Sequence, residues 1–294
     1  MYTHMSKQYS SVSTGNIKQL QTLKVVNTHC KAEIALFGAH LLSFVPNSDG
    51  KDRLWLSETA IFDKSKPIRG GVPICWPWFA SLYPELKASE NSKLPAHGFV
   101  RNQDWRVIAI EESPEATTIT LSPTQLGLYG FSEKLLTCVE VTFSEKCSIK
   151  LITKNTSDQP VKITAALHTY FNITDIHQTK IIGVGGRYID KTKENGVFEQ
   201  ALPYLINSET DKTHLQDEDN QFKFIQVISQ LDTISIEQHG HDSVVIWNPW
   251  QEKSTAMADM QDNDYLNMLC IEASVTQGSV LAAQEQHTLV QIIG

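Results

Sequence analysis

Short apolar segments with a period of two dominate the chain. The clearest runs from Leu135 to Phe143. Leu135, Thr137, Val139, Val141 and Phe143 share one face there, with Glu140 and Thr142 on the other, the alternation of a strand with one buried side. Cys147–Thr153 and Val161–Leu167 continue it around the turn-rich Asn155-Thr156-Ser157-Asp158-Gln159-Pro160. Upstream, Ala32 to Val45 reads as one or two strands bent at Gly38, and Val107–Ile110 and Thr117–Leu121 flank an acidic turn. Downstream candidates are Lys180–Val184, Phe224–Val227, Thr233–Glu237, Ser243–Trp247, Leu269–Val275 and Thr288–Ile293. Helix is confined to Ser57–Phe62 and Asp262–Met268, because no apolar 3.6-residue period lasts beyond a few turns. Such spacing, without alternation of strand and helix, predicts an all-β protein, a large antiparallel β-sandwich with few short helices. Residues 1–294 read as one domain, with 1–18 a loose tail. Gly185–Phe222 is polar and dense in charge, which predicts an excursion over the sheet.

Composition narrows the partners. An apolar fraction of 41% and a charged fraction of 20% suit a soluble chain with a proper core. The net charge of −8 argues against nucleic acid or an anionic membrane as partner. Five cysteines, an odd number without Cys-x-x-Cys, read as reduced thiols. The N-terminus lacks the apolar core of a signal peptide, and Ala35–Val45 is too short to span a bilayer. A cytoplasmic location is the expectation.

Against that acidic background one stretch stands out, from Ile68 to Arg101. Arg69-Gly70-Gly71-Val72-Pro73 opens it, Cys75-Trp76-Pro77-Trp78-Phe79 follows, and His97-Gly98-Phe99-Val100-Arg101 closes it. Gly lets backbone approach a ligand, Arg offers a fork for carboxylate or phosphate, and Trp offers a flat apolar face. Together they describe a pocket for something small, anionic and partly flat. Taken alone, they equally fit a Gly/Pro turn region whose Arg pair with internal carboxylates and whose Trp fill core.

Two further segments carry titratable groups. In Ala166-Leu167-His168-Thr169-Tyr170-Phe171, alternation puts Ala166, His168 and Tyr170 on one face. In Leu269-Cys270-Ile271-Glu272-Ala273-Ser274-Val275, Cys270, Glu272 and Ser274 lie opposite an apolar face. A structural histidine and a solvated glutamate would look the same. A metal held by His97, His168 and Glu272 is disfavoured, since no paired-His ligand motif lies on a predicted strand or helix. Without a phosphate loop ahead of a helix or a Gly-x-Ser-x-Gly elbow, neither a nucleotide cofactor nor a serine nucleophile is expected.

In this order the Arg69–Trp78 run, His97-Gly98-Phe99-Val100-Arg101, Leu167-His168-Thr169-Tyr170-Phe171 and Ile271-Glu272 resemble the aldose 1-epimerase family. The set is most similar to its hexose-6-phosphate mutarotase (glucose-6-phosphate 1-epimerase) branch, over roughly Gln19 to Gly294. The resemblance implies a galactose mutarotase-like supersandwich, no cofactor and no metal, and interconversion of the α and β anomers of a hexose 6-phosphate. It implies His168 as general acid and Glu272 as general base, with Arg69, Arg101, His97 and Asp211 binding substrate. Ala96 stands where some relatives carry a polar residue. The partner expected is a sugar phosphate, glucose 6-phosphate foremost, and the chain a monomer or weak homodimer. A mutarotase for free aldoses and a non-catalytic sugar-phosphate-binding module are the rivals.

Overall fold

The computed structural model describes residues 9–81, 94–217, 221–230 and 232–294. The described residues form three antiparallel sheets, of four, eight and nine strands, so the all-β expectation holds. The small sheet is a meander of Val12–Ile17, Leu20–Val26, Cys30–Ala35 and His40–Pro46. Its last two strands are the hairpin expected to bend at Gly38. The nine-stranded sheet holds the clearest sequence strand, Leu135–Phe143, paired with Thr117–Pro123 and Cys147–Asn155. Leu135, Val139, Val141 and Phe143 all enter the main core, as their alternation requires.

The eight-stranded sheet carries the candidate chemistry. Its spine is Met268–Leu281, flanked by Ser243–Asn248 and Val161–Leu167. Leu269, Ile271, Ala273 and Val275 join the main core, so Cys270, Glu272 and Ser274 must face the opposite side. There Trp55, Tyr170, Trp247, Met260, Met268 and Cys270 form a separate apolar cluster.

Three expectations are corrected. Residues 1–18 are not a loose tail throughout: Val12–Ile17 pairs along its length with Leu20–Val26, while residues 1–8 lie outside the described set. Gly185–Phe222 is no mere excursion. It supplies Arg187–Asp190, Gly196–Glu199 and Thr210–Leu215 to one end of the eight-stranded sheet. Those strands show little apolar alternation because polar residues stand even on the face continuous with the core: half-buried Lys212, opposite Ile246, holds its Nζ over the Tyr188 and Tyr204 rings. Ser57–Phe62 forms no helix, and Asp262–Met268 contains one 3-10 turn, Asp264–Leu266. The one α-helix among the described residues, Trp250–Ala256, was not foreseen.

Candidate active site

The Ile68–Arg101 stretch is brought to the sheet by backbone bonds. Ile74–Cys75 pairs with Ala166–Leu167. The His168 amide donates to the Pro73 carbonyl at 3.1 Å, and the Tyr170 amide donates to Gly71 at 2.9 Å. The chain turns sharply at Gly71, where φ is +59°. A Cβ there would lie 2.2 Å from the Leu41 carbonyl and 3.0 Å from His40 Nε2, so glycine alone fits. Buried His40 donates through Nε2 to the Gly70 carbonyl at 2.7 Å. Burial pushes its pKa down to about 4, so it remains a neutral strut at neutral pH.

Strand register explains how distant residues meet. Tyr170 lies opposite Cys270, Cys270 opposite Trp247, and Trp247 opposite Asp211. Directly opposed residues in antiparallel strands share a face, so Asp211 is on the Cys270–Glu272 side. Glu272 lies opposite Val245 one step along. His168 sits just past Leu167, which pairs with Ala273. Around it, the Ile271 amide donates to the Thr169 carbonyl. Thr169 Oγ1 donates to buried Gln291, whose amide donates back to the Ile271 carbonyl. The backbone on both sides of the His168–Glu272 pair is thereby tied to the core.

His168 Nε2 lies 3.4 Å from Glu272 Oε1. Glu272 is 1% exposed, which makes this an interior pair rather than a surface one. His168 Nδ1 and Glu272 Oε2 are buried and have no hydrogen-bond partner among the described residues, an uncommon state that marks a site of chemistry or ligand binding. The His168 ring stacks on Tyr170 at 5.0 Å and meets the edges of His97 at 5.4 Å and Trp247 at 6.2 Å. Burial, with Arg101 and Arg69 adding to it, pushes the His168 pKa down to about 3. Burial pushes the Glu272 carboxyl well above the usual carboxylate range, with Lys191 and Arg101 pulling against it. Both shifts favour uncharged forms, so without ligand the pair is not an imidazolium–carboxylate ion pair.

His97 adopts φ of +63°, in the left-handed region, a strained conformation typical of a constrained site. The constraint is Gly98, whose added Cβ would lie 1.9 Å from the Trp76 carbonyl oxygen. His97 Nδ1 accepts from the Ala80 amide at 3.3 Å, which places the neutral ring's proton on Nε2 as a donor. Gly98→Ala therefore costs about 3 kcal/mol of stability, from strain plus overlap. Urea unfolding of the variant beside wild type measures this; a loss below about 1 kcal/mol means the turn can relax.

The two arginines differ in electrostatic compensation. Arg69 Nη1 donates to the Tyr170 hydroxyl at 2.9 Å and Nε donates to Asp259 at 3.2 Å. Burial works against its charge, but Tyr170 and Asp259 outweigh that and raise its pKa. Arg101 is half-buried and donates through Nη2 to the Ala96 carbonyl at 3.0 Å. Among the described residues its buried Nε has no partner, and no carboxylate pairs with it. Burial lowers its pKa. A guanidinium in this state has capacity to spare for an anion.

Sequence reading missed one cation. Lys191 begins a 3-10 turn, Lys191–Lys193, capped by Asp190, whose Oδ1 accepts from the Thr192 amide at 3.0 Å. Its Nζ lies 3.3 Å from Asp211 Oδ1 and 5.3 Å from the centre of the Phe79 ring. The Phe79 ring in turn meets His97 at 5.0 Å. Lys191 lies in a stretch without apolar period, so nothing in the sequence distinguished it from neighbouring lysines. Trp247, Tyr170 and Asp259 also belong here. By contrast Trp76 and Trp78 are core, bonded to Thr153 and to the Pro95 carbonyl. Trp250 packs against Tyr265 and His177, so none of Trp76, Trp78 and Trp250 joins the rings around His168.

Among the described residues, His168, Cys270 and Glu272 each offer a ligand atom, all within 4.8 Å of one another. The third member is Cys270 rather than His97. No helix among the described residues is long and apolar enough to cross a membrane.

Comparison with known proteins identifies the family. The family model for aldose 1-epimerase matches residues 21–294. A protein of Escherichia coli (strain K12) named "Putative glucose-6-phosphate 1-epimerase" is 34% identical over 278 residues, covering 90% of this chain and 88% of that one. A Salmonella typhimurium protein of the same name is 31% identical, covering 94% and 90%. The crystal structure of a Salmonella typhimurium protein described as a "putative mutarotase" superposes with a TM-score of 0.86 at 29% identity, covering 98% of this chain and 95% of that one. A galactose mutarotase-like protein from Clostridium acetobutylicum shares the fold with a TM-score of 0.73 at 15% identity, covering 96% and 97%. This chain belongs to the aldose 1-epimerase family and is an isomerase that interconverts sugar anomers.

Proposed function

We propose that the substrate is a hexose 6-phosphate, glucose 6-phosphate foremost, and that His168 and Glu272 carry the proton transfers. The observation that carries the anionic substrate is Arg101, a half-buried guanidinium beside the acid–base pair whose Nε has no partner among the described residues. The names of the most similar relatives point the same way.

Mutarotation opens the ring when a proton reaches the ring oxygen as another leaves the anomeric hydroxyl. Rotation about the adjacent carbon–carbon bond presents the other carbonyl face, and the transfers reverse. His168 donates to the ring oxygen, and Glu272 takes the anomeric proton. Each positioned group contributes on the order of 10²–10⁴ in rate. The Nε2–H of His97 and the carboxylate of Asp211 hold hydroxyls, while Arg69 and Arg101 grip the phosphate.

Substrate charge and proton transfer are linked in this reading. Arg101 and Arg69 depress the proton affinity of His168 in the free site. An anion that neutralises them relieves that depression, so with phosphate bound the Glu272 carboxyl proton passes to the imidazole 3.4 Å away, leaving His168 protonated as acid and Glu272 ionised as base. Lys191, paired with Asp211, remains the cation facing Glu272.

The test is NMR magnetisation exchange between the anomers of glucose 6-phosphate, with free galactose as comparison. Catalysed exchange of the ester alone supports the proposal; faster exchange of free galactose replaces it with a free-aldose mutarotase. Binding without exchange on either sugar makes the protein a binding module. Lys191→Ala supplies a second test. Loss of the ammonium removes a charge that lowers the Glu272 pKa, so the acidic limb of the exchange profile moves to higher pH. Lys191→Arg restores it. An unmoved limb removes Lys191 from the base's environment.

A further inference from the structure

We infer that a thiophilic divalent cation of the zinc class binds His168, Cys270 and Glu272 and thereby blocks the site. Cys270 and Glu272 are two residues apart on one strand and face the same side. His168 Nε2 is already 3.4 Å from Glu272 Oε1. That separation is close to what two donors about 2.0–2.2 Å from one tetrahedral ion require. All three donor atoms lie within 4.8 Å, so a modest turn of the His168 ring closes the set.

The donor groups are also lightly held. Among the described residues, His168 Nε2 and Glu272 Oε1 face each other, the second atoms of these groups, Nδ1 and Oε2, have no hydrogen-bond partner, and no hydrogen bond of Cys270 competes for its sulfur. One nitrogen, one sulfur and one carboxylate oxygen select Zn²⁺, Co²⁺ or Cd²⁺ over Mg²⁺ or Ca²⁺, which prefer all-oxygen sets. Coordination releases the Cys270 thiol proton and the Glu272 carboxyl proton to solvent and leaves one open position on a tetrahedral ion. Arg101 and Lys191 oppose the added charge, so only a cation with real affinity for sulfur and imidazole overcomes them. Cys270 has no part in the proposed proton transfers. It serves the metal site alone, which separates binding from catalysis.

Inhibition follows because the ion occupies the lone pairs of both His168 and Glu272; this arm rests on the proposed roles of those two residues. The experiment titrates the full chain with Co²⁺, then Zn²⁺. One Co²⁺ per chain with a thiolate-to-cobalt charge-transfer band, displaced by Zn²⁺ and by glucose 6-phosphate but not by Mg²⁺, supports the site. Zn²⁺ then inhibits anomer exchange competitively with the sugar. Cys270→Ser keeps metal-free exchange, loses the band and weakens Zn²⁺ inhibition about 100-fold, since even outer ligands to a metal are worth 10–100-fold. Cys270→Ala serves if the serine variant does not fold, and competition by the sugar is read on wild type alone. Absence of the thiolate band in wild type, or its persistence in the Cys270 variants, overturns the inference. A Cys270-dependent band without inhibition leaves the metal site standing and overturns the catalytic roles given to His168 and Glu272 instead.

Discussion

Glu272→Gln lowers catalysed exchange of glucose 6-phosphate anomers by about 10²–10⁴-fold, the worth of one positioned base. The protein folds as before. Burial already favours the uncharged carboxyl, and an amide of the same shape replaces it without leaving a buried charge. Its thermal midpoint is therefore equal to or above that of wild type, and KM for the sugar phosphate changes little, since the loss falls on the transition state. Magnetisation exchange measured beside a thermal melt separates the two effects. Near wild-type exchange from a well-folded variant removes Glu272 from the mechanism.

Arg101→Ala separates the substrate readings. A charge-assisted hydrogen bond is worth about 1.5–3 kcal/mol, so kcat/KM for glucose 6-phosphate falls roughly 10- to 150-fold. Exchange of free glucose changes far less, or improves, because the guanidinium also depresses the proton affinity of His168. Arg101 additionally ties down the loop through Ala96, and a purely structural loss would lower both sugars alike. Equal falls on ester and free sugar would assign the residue to structure and leave the free-aldose reading in its place. Arg69→Ala is a weaker probe, since Tyr170 and Asp259 already hold that guanidinium.

The contrast between the arginines shows where reading the chain stopped. Both were visible as cations in an acidic protein, but only coordinates reveal that Asp259, far away in sequence, balances one of them. Asp211 was placed by resemblance alone, in a stretch with little pattern; the register Asp211–Trp247–Cys270–Tyr170 puts it on the Cys270–Glu272 face. Lys191 had no pattern at all, because a lysine in a capped turn is defined by what the turn packs against. The tryptophans make the opposite case. Trp76 and Trp78 lay inside the conspicuous motif, yet their rings fill core, while Trp247, at the end of an ordinary strand, reaches the site.

By itself the sequence determined the class of fold, most strand positions and which residues share a face. Period-two alternation is a local property: Leu269, Ile271, Ala273 and Val275 must be buried together, and Cys270 with Glu272 must lie opposite. Tertiary structure decided which of those faces meet. The pairing of Ile74–Cys75 with Ala166–Leu167, and of Val161–Leu167 with Met268–Leu281, joins segments roughly 90 to 120 residues apart in the chain. Contacts of that range depend on backbone register and on which charges are left uncompensated once the sheets pack, and neither quantity is carried by any single stretch of residues.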